Sequence, residues 1–287
     1  MELGGTKCIA AIARGRDILV RERWPTGDDA AETLGRIVNW IASSGENFTA
    51  IGIAGFGPLN LDRSRSDYGR IGTTPKPGWS GIDLRGTFAK AFDVPIGFDT
   101  DVAGAALAEG RWGAAQGCSD HVYLTIGTGV GGGIVAGGVP LHGAAHPEIG
   151  HIRVRNASAD GFAGACPFHG DCLEGLVAGG SLAKRTGIAG EDIPPDHPVW
   201  AEVAQEIAEL VAMLVLTTAP QRIVIGGGIG SGQPQLFPMI RAAAVKALAG
   251  YGPISDAATI DVLVVPPGLG ADAGPLGAVA LALDALP

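Results

Sequence analysis

The sequence predicts an α/β fold built from two related halves, and three observations carry that expectation. Apolar runs of strand length alternate with longer runs of helical period along the whole chain. A strand–glycine loop–strand unit occurs twice, over residues 2–21 and again over 121–136. The 47 glycines among 287 residues cluster in short runs after apolar stretches, where backbone is expected to approach a ligand.

The first unit opens on Glu2-Leu-Gly-Gly-Thr-Lys7. A strand from Cys8 to Ala13, a turn at Gly15-Arg16-Asp17 and a return strand from Ile18 to Arg21 follow. Taken alone, G-G-T-K also serves as a plain hairpin turn. It is not a Walker loop, because G-x-x-x-x-G-K is absent. Residues 28–42 have helical period, with Leu34, Ile37, Val38 and Ile41 on one face and Asp28 and Asp29 at the positive end. Ala50 to Ala54 reads as a buried strand ending in Gly55-Phe56-Gly57-Pro58, a turn at the sheet edge where open α/β sheets bind ligands. Residues 59–83 are irregular but carry Trp and Tyr, which argues for a functional loop over a disordered one. A short strand, Pro95 to Phe98, leads into Asp99-Thr-Asp101 and a helix through Trp112. That places Asp101 in a first helical turn, where the helix dipole is expected to keep it ionised; the plainer reading is a helix-end acid.

The second unit is a strand from His121 to Ile126, the loop Gly127-Thr-Gly-Val-Gly-Gly-Gly133, and a strand from Ile134 to Ala136. The repeated unit resembles the internal duplication of the two-domain actin-like ATPase/hexokinase (ribonuclease H-like) fold, which implies two loops gripping one polyphosphate from opposite domains. Further helices are expected over residues 173–185, 199–218 and 235–249, and from Gly274 onward. Strands are expected at Ile223–Ile225, ending in Gly226-Gly227-Gly228, and at Ile260–Val265. Residues 188–198 read as a linker. The expected division is 1–115, completed by the final helix 274–287, and 116–273. Only Met1, Glu2 and Leu3 precede the first glycine loop, whereas interior strands run to about five or six residues. The first strand therefore reads as cut short, and about four to six apolar residues ahead of Met1 are expected to stabilise the fold and tighten nucleotide binding.

Composition narrows the function. The net charge of −9 and absence of a basic run exclude a typical nucleic-acid surface. No apolar run is long enough to span a membrane, and no signal peptide is evident. Four cysteines fit a reducing cytoplasm better than a disulfide scaffold.

Residues 146–174 hold the densest chemistry. Cys166, His169 and Cys172 read C-x2-H-x2-C, and His151 lies upstream. Two thiolates and two imidazoles complete a tetrahedral zinc set, and a closed set of four is structural. A zinc hydrolase is disfavoured, since no open position and no H-E-x-x-H are present.

The GGTK loop, GFGP with TTPKPGW, the DTD triplet, GTGVGGG, HPEIGH followed by CPFHGDCLEG, and IVIGGGI stand in one order along nearly the whole chain. Together they resemble the ROK family (repressors, open reading frames, sugar kinases), and within it the zinc-containing bacterial fructokinases. The resemblance implies ATP-dependent phosphorylation of fructose, with Mg-ATP and one structural zinc ion. It makes Asp101 the general base. Asp101, Glu148, His151 and Glu174 would meet the sugar, with Gly57 and Pro58 beside it. Gly4, Gly5, Thr6, Lys7, Thr128, Gly129, Gly131, Gly132, Gly226, Gly227 and Gly228 would hold the nucleotide. Glu2, where the family usually has aspartate, would hold magnesium, and His151 would serve zinc and sugar at once. Ala103 replaces the family's usual asparagine, which puts one sugar contact in doubt. Another hexose or N-acetyl-hexosamine is the alternative substrate. A sugar-sensing repressor is disfavoured, because no helix-turn-helix precedes the first loop and the chain is acidic. A homodimer with the zinc loop at its contact is a further expectation.

Overall fold

The computed structural model describes residues 1–287. In chain order its first half contains β1 (Glu2–Leu3), β2 (Lys7–Arg14), β3 (Asp17–Pro25), α1 (Ala30–Ser43), β4 (Ile51–Gly55), α2 (Leu84–Ala91), β5 (Ile96–Thr100) and α3 (Asp101–Trp112). Next come β6 (His121–Ile126), β7 (Val130–Ala136), β8 (Val139–Pro140), α4 (Leu173–Val177), α5 (Gly179–Thr186) and α6 (Val199–Thr218). The chain finishes with β9 (Arg222–Gly226), α7 (Gly227–Gly232), α8 (Leu236–Leu248), α9 (Ala257–Leu263), β10 (Val264–Val265) and α10 (Ala273–Asp284).

The strands form two five-stranded sheets, ordered β3-β2-β1-β4-β5 and β10-β9-β6-β7-β8. In each, an antiparallel meander of three strands is extended by two parallel strands. The duplication inferred from the two glycine loops is thus a duplication of sheet topology, with β1 standing where β6 stands. β1 has two residues where β6 has six. Every residue of β4 and β5 is buried, as expected of parallel strands covered on both faces.

Helix ends follow local chemistry. Asp29 caps α1, its side chain accepting from the Glu32 N–H at 2.9 Å, and Leu34, Ile37 and Ile41 point inward. The Thr100 hydroxyl caps α3, accepting from the Ala103 N–H at 3.1 Å. α10 returns to the first sheet. A Cβ on Gly52 or Gly97 would run into the carbonyls of Ala278 or Leu281, so glycine at those strand positions is what lets α10 lie against the sheet. Gly104 and Gly277 allow the same closeness between α3 and α10. The irregular stretch 59–83 is anchored by Trp79, which is fully buried and donates its indole N–H to the Gly27 carbonyl at 3.1 Å.

Two expected elements differ. The helix expected over 173–185 is two, α4 and α5, broken at Ala178, whose backbone is extended. Most of Ile260–Val265 is helix, and only Val264 and Val265 form a strand. Asp256 decides this: its side chain accepts from the Thr259 N–H at 3.0 Å and starts α9 just upstream. No helix is long and apolar enough to cross a membrane.

Candidate active site

A cleft of about 810 Å³ is lined from both sheets. Glu2, Thr6 and Lys7 enter from the β1–β2 turn, and Gly4 and Gly5 form the bend itself. Gly127 and Thr128 enter from the β6–β7 turn, Gly227 and Gly228 from the start of α7, and Asp101 from the start of α3. Most of the glycine loops named from sequence therefore converge on one space.

Some of the named residues do not. Gly131 and Gly132 lie within β7, paired with Thr125 and Leu124. A side chain there would strike Val102 or Ile149, so these glycines serve packing between β7, α3 and the 149–151 turn. Gly226 ends β9 against the Tyr123 ring, and Gly129 turns toward the Glu174 carboxylate. Other lining residues had not been singled out. Gly179 and Gly180 begin α5, and Gly190 and Glu191 belong to the stretch read as a linker. The Gly-Gly pair ahead of a helix was the available sign of them, since exposed N–H groups at a helix start favour anions.

The Asp101 carboxyl is held well above the range expected of a helix-end acid. Burial, then the negative charges of Glu2 and Glu148, push its carboxyl up to about 7, although it accepts from the Val102 N–H at 2.9 Å. The helix-end dipole contributes about 0.3–2 kcal/mol, less than the cost of removing a carboxylate from water beside another carboxylate. Such a group is poised to take a proton near neutral pH. Glu2 is also pushed up by burial, with Lys7 as the main opposing charge. One Glu2 carboxylate oxygen is buried without a hydrogen-bond partner, and its carboxylate stands where a Cβ on Gly274 would be. A buried, unpartnered carboxylate oxygen in a cleft lined by both glycine loops fits a magnesium ion or its water shell.

The second cluster is His151, Cys166, His169 and Cys172, whose ligand atoms all lie within 4.8 Å of one another. His151 Nδ1 is 3.7 Å from Cys166 Sγ and 3.6 Å from Cys172 Sγ, and His169 Nδ1 is 3.8 Å from Cys166 Sγ. Tetrahedral zinc with bonds of about 2.0–2.3 Å needs ligand separations near 3.3–3.8 Å, so the donor set and its spacing fit that ion. Paired backbone bonds between Cys166 and Gly170 close the loop around the cluster. With Nδ1 facing the sulfurs, the Nε2 edge of His151 is left for another partner.

Glu174 joins the two regions. It is the second residue of α4, two after Cys172, lies 3.9 Å from His151 Nδ1, and accepts from the Val130 N–H at 3.1 Å. Glu148 precedes the short Ile149–His151 turn, with Oε1 3.6 Å from His146 Nδ1. A Cβ added to Gly57 would sit 3.3 Å from Glu148 Oε1, so the Gly57-Pro58 turn and the HPEIGH stretch meet in space.

Two related sheets facing one cleft of about 810 Å³, with the half-buried acid Asp101 between them, form a phosphotransferase-type fold. The chain belongs to the ROK family, whose model matches residues 1–285. It is 42% identical to the fructokinase of Zymomonas mobilis subsp. mobilis, over 99% of this chain and 96% of that protein. Among solved structures it resembles the ROK hexokinase from Thermus thermophilus, with a TM-score of 0.79, 28% identity, and 98% and 96% of the two chains covered. It also resembles a ROK family glucokinase from Streptomyces griseus solved with glucose and AMPPNP, with a TM-score of 0.78, 26% identity, and 98% and 97% covered.

Proposed function

We propose that the chain is an ATP-dependent sugar kinase that converts fructose to fructose 6-phosphate. The observation that carries this reading is the meeting of Asp101 and Glu2 with both glycine loops in one cleft. Full-length similarity to a fructokinase supports the choice of sugar. A second reading, another hexose, is favoured by likeness to a glucokinase and by Ala103 in place of the family's usual asparagine.

In this reading residues 1–115 with the final helix, and residues 116–273, form two domains closing on Mg-ATP and sugar. The loop at Gly4–Lys7, the turn at Gly127–Gly129 and the start of α7 present backbone N–H groups to the polyphosphate. Lys7 adds a positive charge. Magnesium held near Glu2 would neutralise charge on the β- and γ-phosphates. Glu148, the Nε2 edge of His151 and Glu174 pair with sugar hydroxyls, each of which would cost about 1–3 kcal/mol if buried unpaired. Asp101 accepts the proton of the sugar hydroxyl as its oxygen bonds to the γ-phosphorus. The bond from that phosphorus to the bridging oxygen breaks, and ADP leaves. A zinc ion held by His151, Cys166, His169 and Cys172 would fix His151 and the start of α4 in place, outside the transfer itself. A coupled ADP-release assay over a hexose panel tests the reading. Fructose is expected to give the highest kcat/KM; preference for glucose or N-acetylmannosamine overturns the choice of sugar, and no turnover on any hexose overturns the kinase reading.

A further inference from the structure

Residues Leu141–Pro147 have no helix or strand, yet they carry two histidines that reach out of their own half of the molecule. His142 Nε2 lies 2.8 Å from Asp99 Oδ2. Asp99 is in β5, two residues before Asp101, and is almost fully buried. Four residues further on, His146 is buried, and its Nε2 accepts the Leu59 N–H at 2.9 Å. That bond fixes the tautomer: the proton sits on Nδ1, which faces the Pro147 carbonyl at 3.4 Å and Glu148 Oε1 at 3.6 Å. The first histidine grips the strand that delivers Asp101. The second grips the backbone just past the Gly57-Pro58 turn.

We infer that His142 and His146 are positioning residues, a two-point clasp that carries Glu148 from the second half onto the sheet bearing Asp101 and so sets the width of the sugar pocket. The inference rests on the sugar-kinase reading of the cleft. Three features support a positioning role over simple packing. Both imidazoles make directed polar bonds across the two halves. Neither touches the phosphate side of the cleft or the zinc cluster. Gly57 leaves just enough room, since a Cβ there would lie 3.0 Å from His146 Cε1. Past the Leu141 N–H, which bonds the Ile134 carbonyl, the loop has no backbone bond to a strand, and it needs such side-chain ties to hold a carboxylate within the few tenths of an ångström that hydroxyl recognition requires.

The test uses His142→Leu, His146→Leu and the matching glutamine variants. Glutamine reaches as far as Nε2 and can offer an N–H to Asp99 or a carbonyl oxygen to the Leu59 N–H. Each leucine variant is expected to raise KM for fructose at least tenfold while KM for ATP stays within twofold and zinc content is unchanged. Glutamine should restore most of the loss. Amide exchange over 141–148, measured without any substrate, should speed up in the leucine variants and not in the glutamine ones. Unchanged fructose KM and exchange overturn the clasp. So does a parallel rise in both KM values with a lowered melting temperature, the mark of a merely structural pair. If the wild-type chain phosphorylates no hexose, the kinase reading falls, and exchange alone decides whether the clasp exists.

Discussion

An apolar strand placed ahead of Met1 should stabilise the fold, and more so in mild acid. In the register of β1, Met1 stands opposite Ala10, so Ala11 to Arg14 of β2 face no partner on that side. Across the gap lie Ile51 and Gly52 of β4. The space between is a slot of about 390 Å³, lined by Ile12, Phe48, Ile51, Leu283 and Leu286 among others. The Met1 ammonium sits at its end, wholly buried, donating to the Gly52 carbonyl at 2.6 Å. Burial pushes that ammonium down to about 5 from its ordinary 8.0.

Four added residues would cost about 1–2 kcal/mol each in backbone freedom. Against this stand about 1.5–3 kcal/mol per buried Val or Ile side chain and about 1 kcal/mol net per ladder hydrogen bond. With all four side chains buried and about four ladder bonds formed, the balance at pH 8 is a gain of at least about 2 kcal/mol, or upward of about 3 °C for a chain of this size. The amine adds a signed term. Its folded pKa is the lower one, so its contribution is complete above pH 8 and is lost between 8 and 5. An extension turns that amine into an amide and removes the loss, which adds about 2 kcal/mol to the advantage at pH 6. Calorimetric melts of the chain with and without about four to six added apolar residues, at pH 6 and pH 8, measure both terms. Equal melting temperatures, or a gain that does not grow from pH 8 to pH 6, would refute the reasoning.

Other tests follow from the two polar clusters. Asp101→Asn should lower kcat by about 10²–10⁴-fold while nucleotide binding persists; a loss under tenfold would reduce Asp101 to a helix-end residue. The same substitution should raise the melting temperature at pH 8. The raised carboxyl contributes stability that is whole below pH 3.8 and is lost as pH climbs through about 7, and asparagine has no proton to lose. In the wild type, kcat/KM for the sugar should climb about tenfold per pH unit below pH 7 and level off above it, and a flat profile from pH 5.5 to 8 would count against a base of that pKa. Protein purified without added metal should carry one equivalent of zinc, and chelation should loosen residues 151–172 and abolish sugar binding. Less than about half an equivalent with full activity would rule out the structural ion.

What could be read in the sequence divides by the span of the interaction that decides it. The cluster of His151, Cys166, His169 and Cys172 was legible because its four members fall within a stretch of 22 residues, and the chemistry of those side chains is the information. The glycine loops were legible as loops, but not residue by residue. Whether a glycine faces ligand or packing depends on the neighbour across the strand, and Gly131 and Gly132 are set by Val102 and Ile149. The strand expected at Ile260–Val265 failed because a short apolar run has no period of its own, and a capping aspartate four residues upstream outweighed β-branched content. Asp101 shows the longest reach. Local sequence places it at a helix start and argues for a charged carboxylate. Its actual state is set by burial and by Glu2, which is 99 residues away in the chain and reaches the same cleft only because β1 lies beside β4 and α10 closes over both. His142 and His146 belong to the same class. Each side chain means nothing until Asp99 and Leu59 are brought across from the other sheet, so the ties that join the halves are the least visible part of the site in sequence.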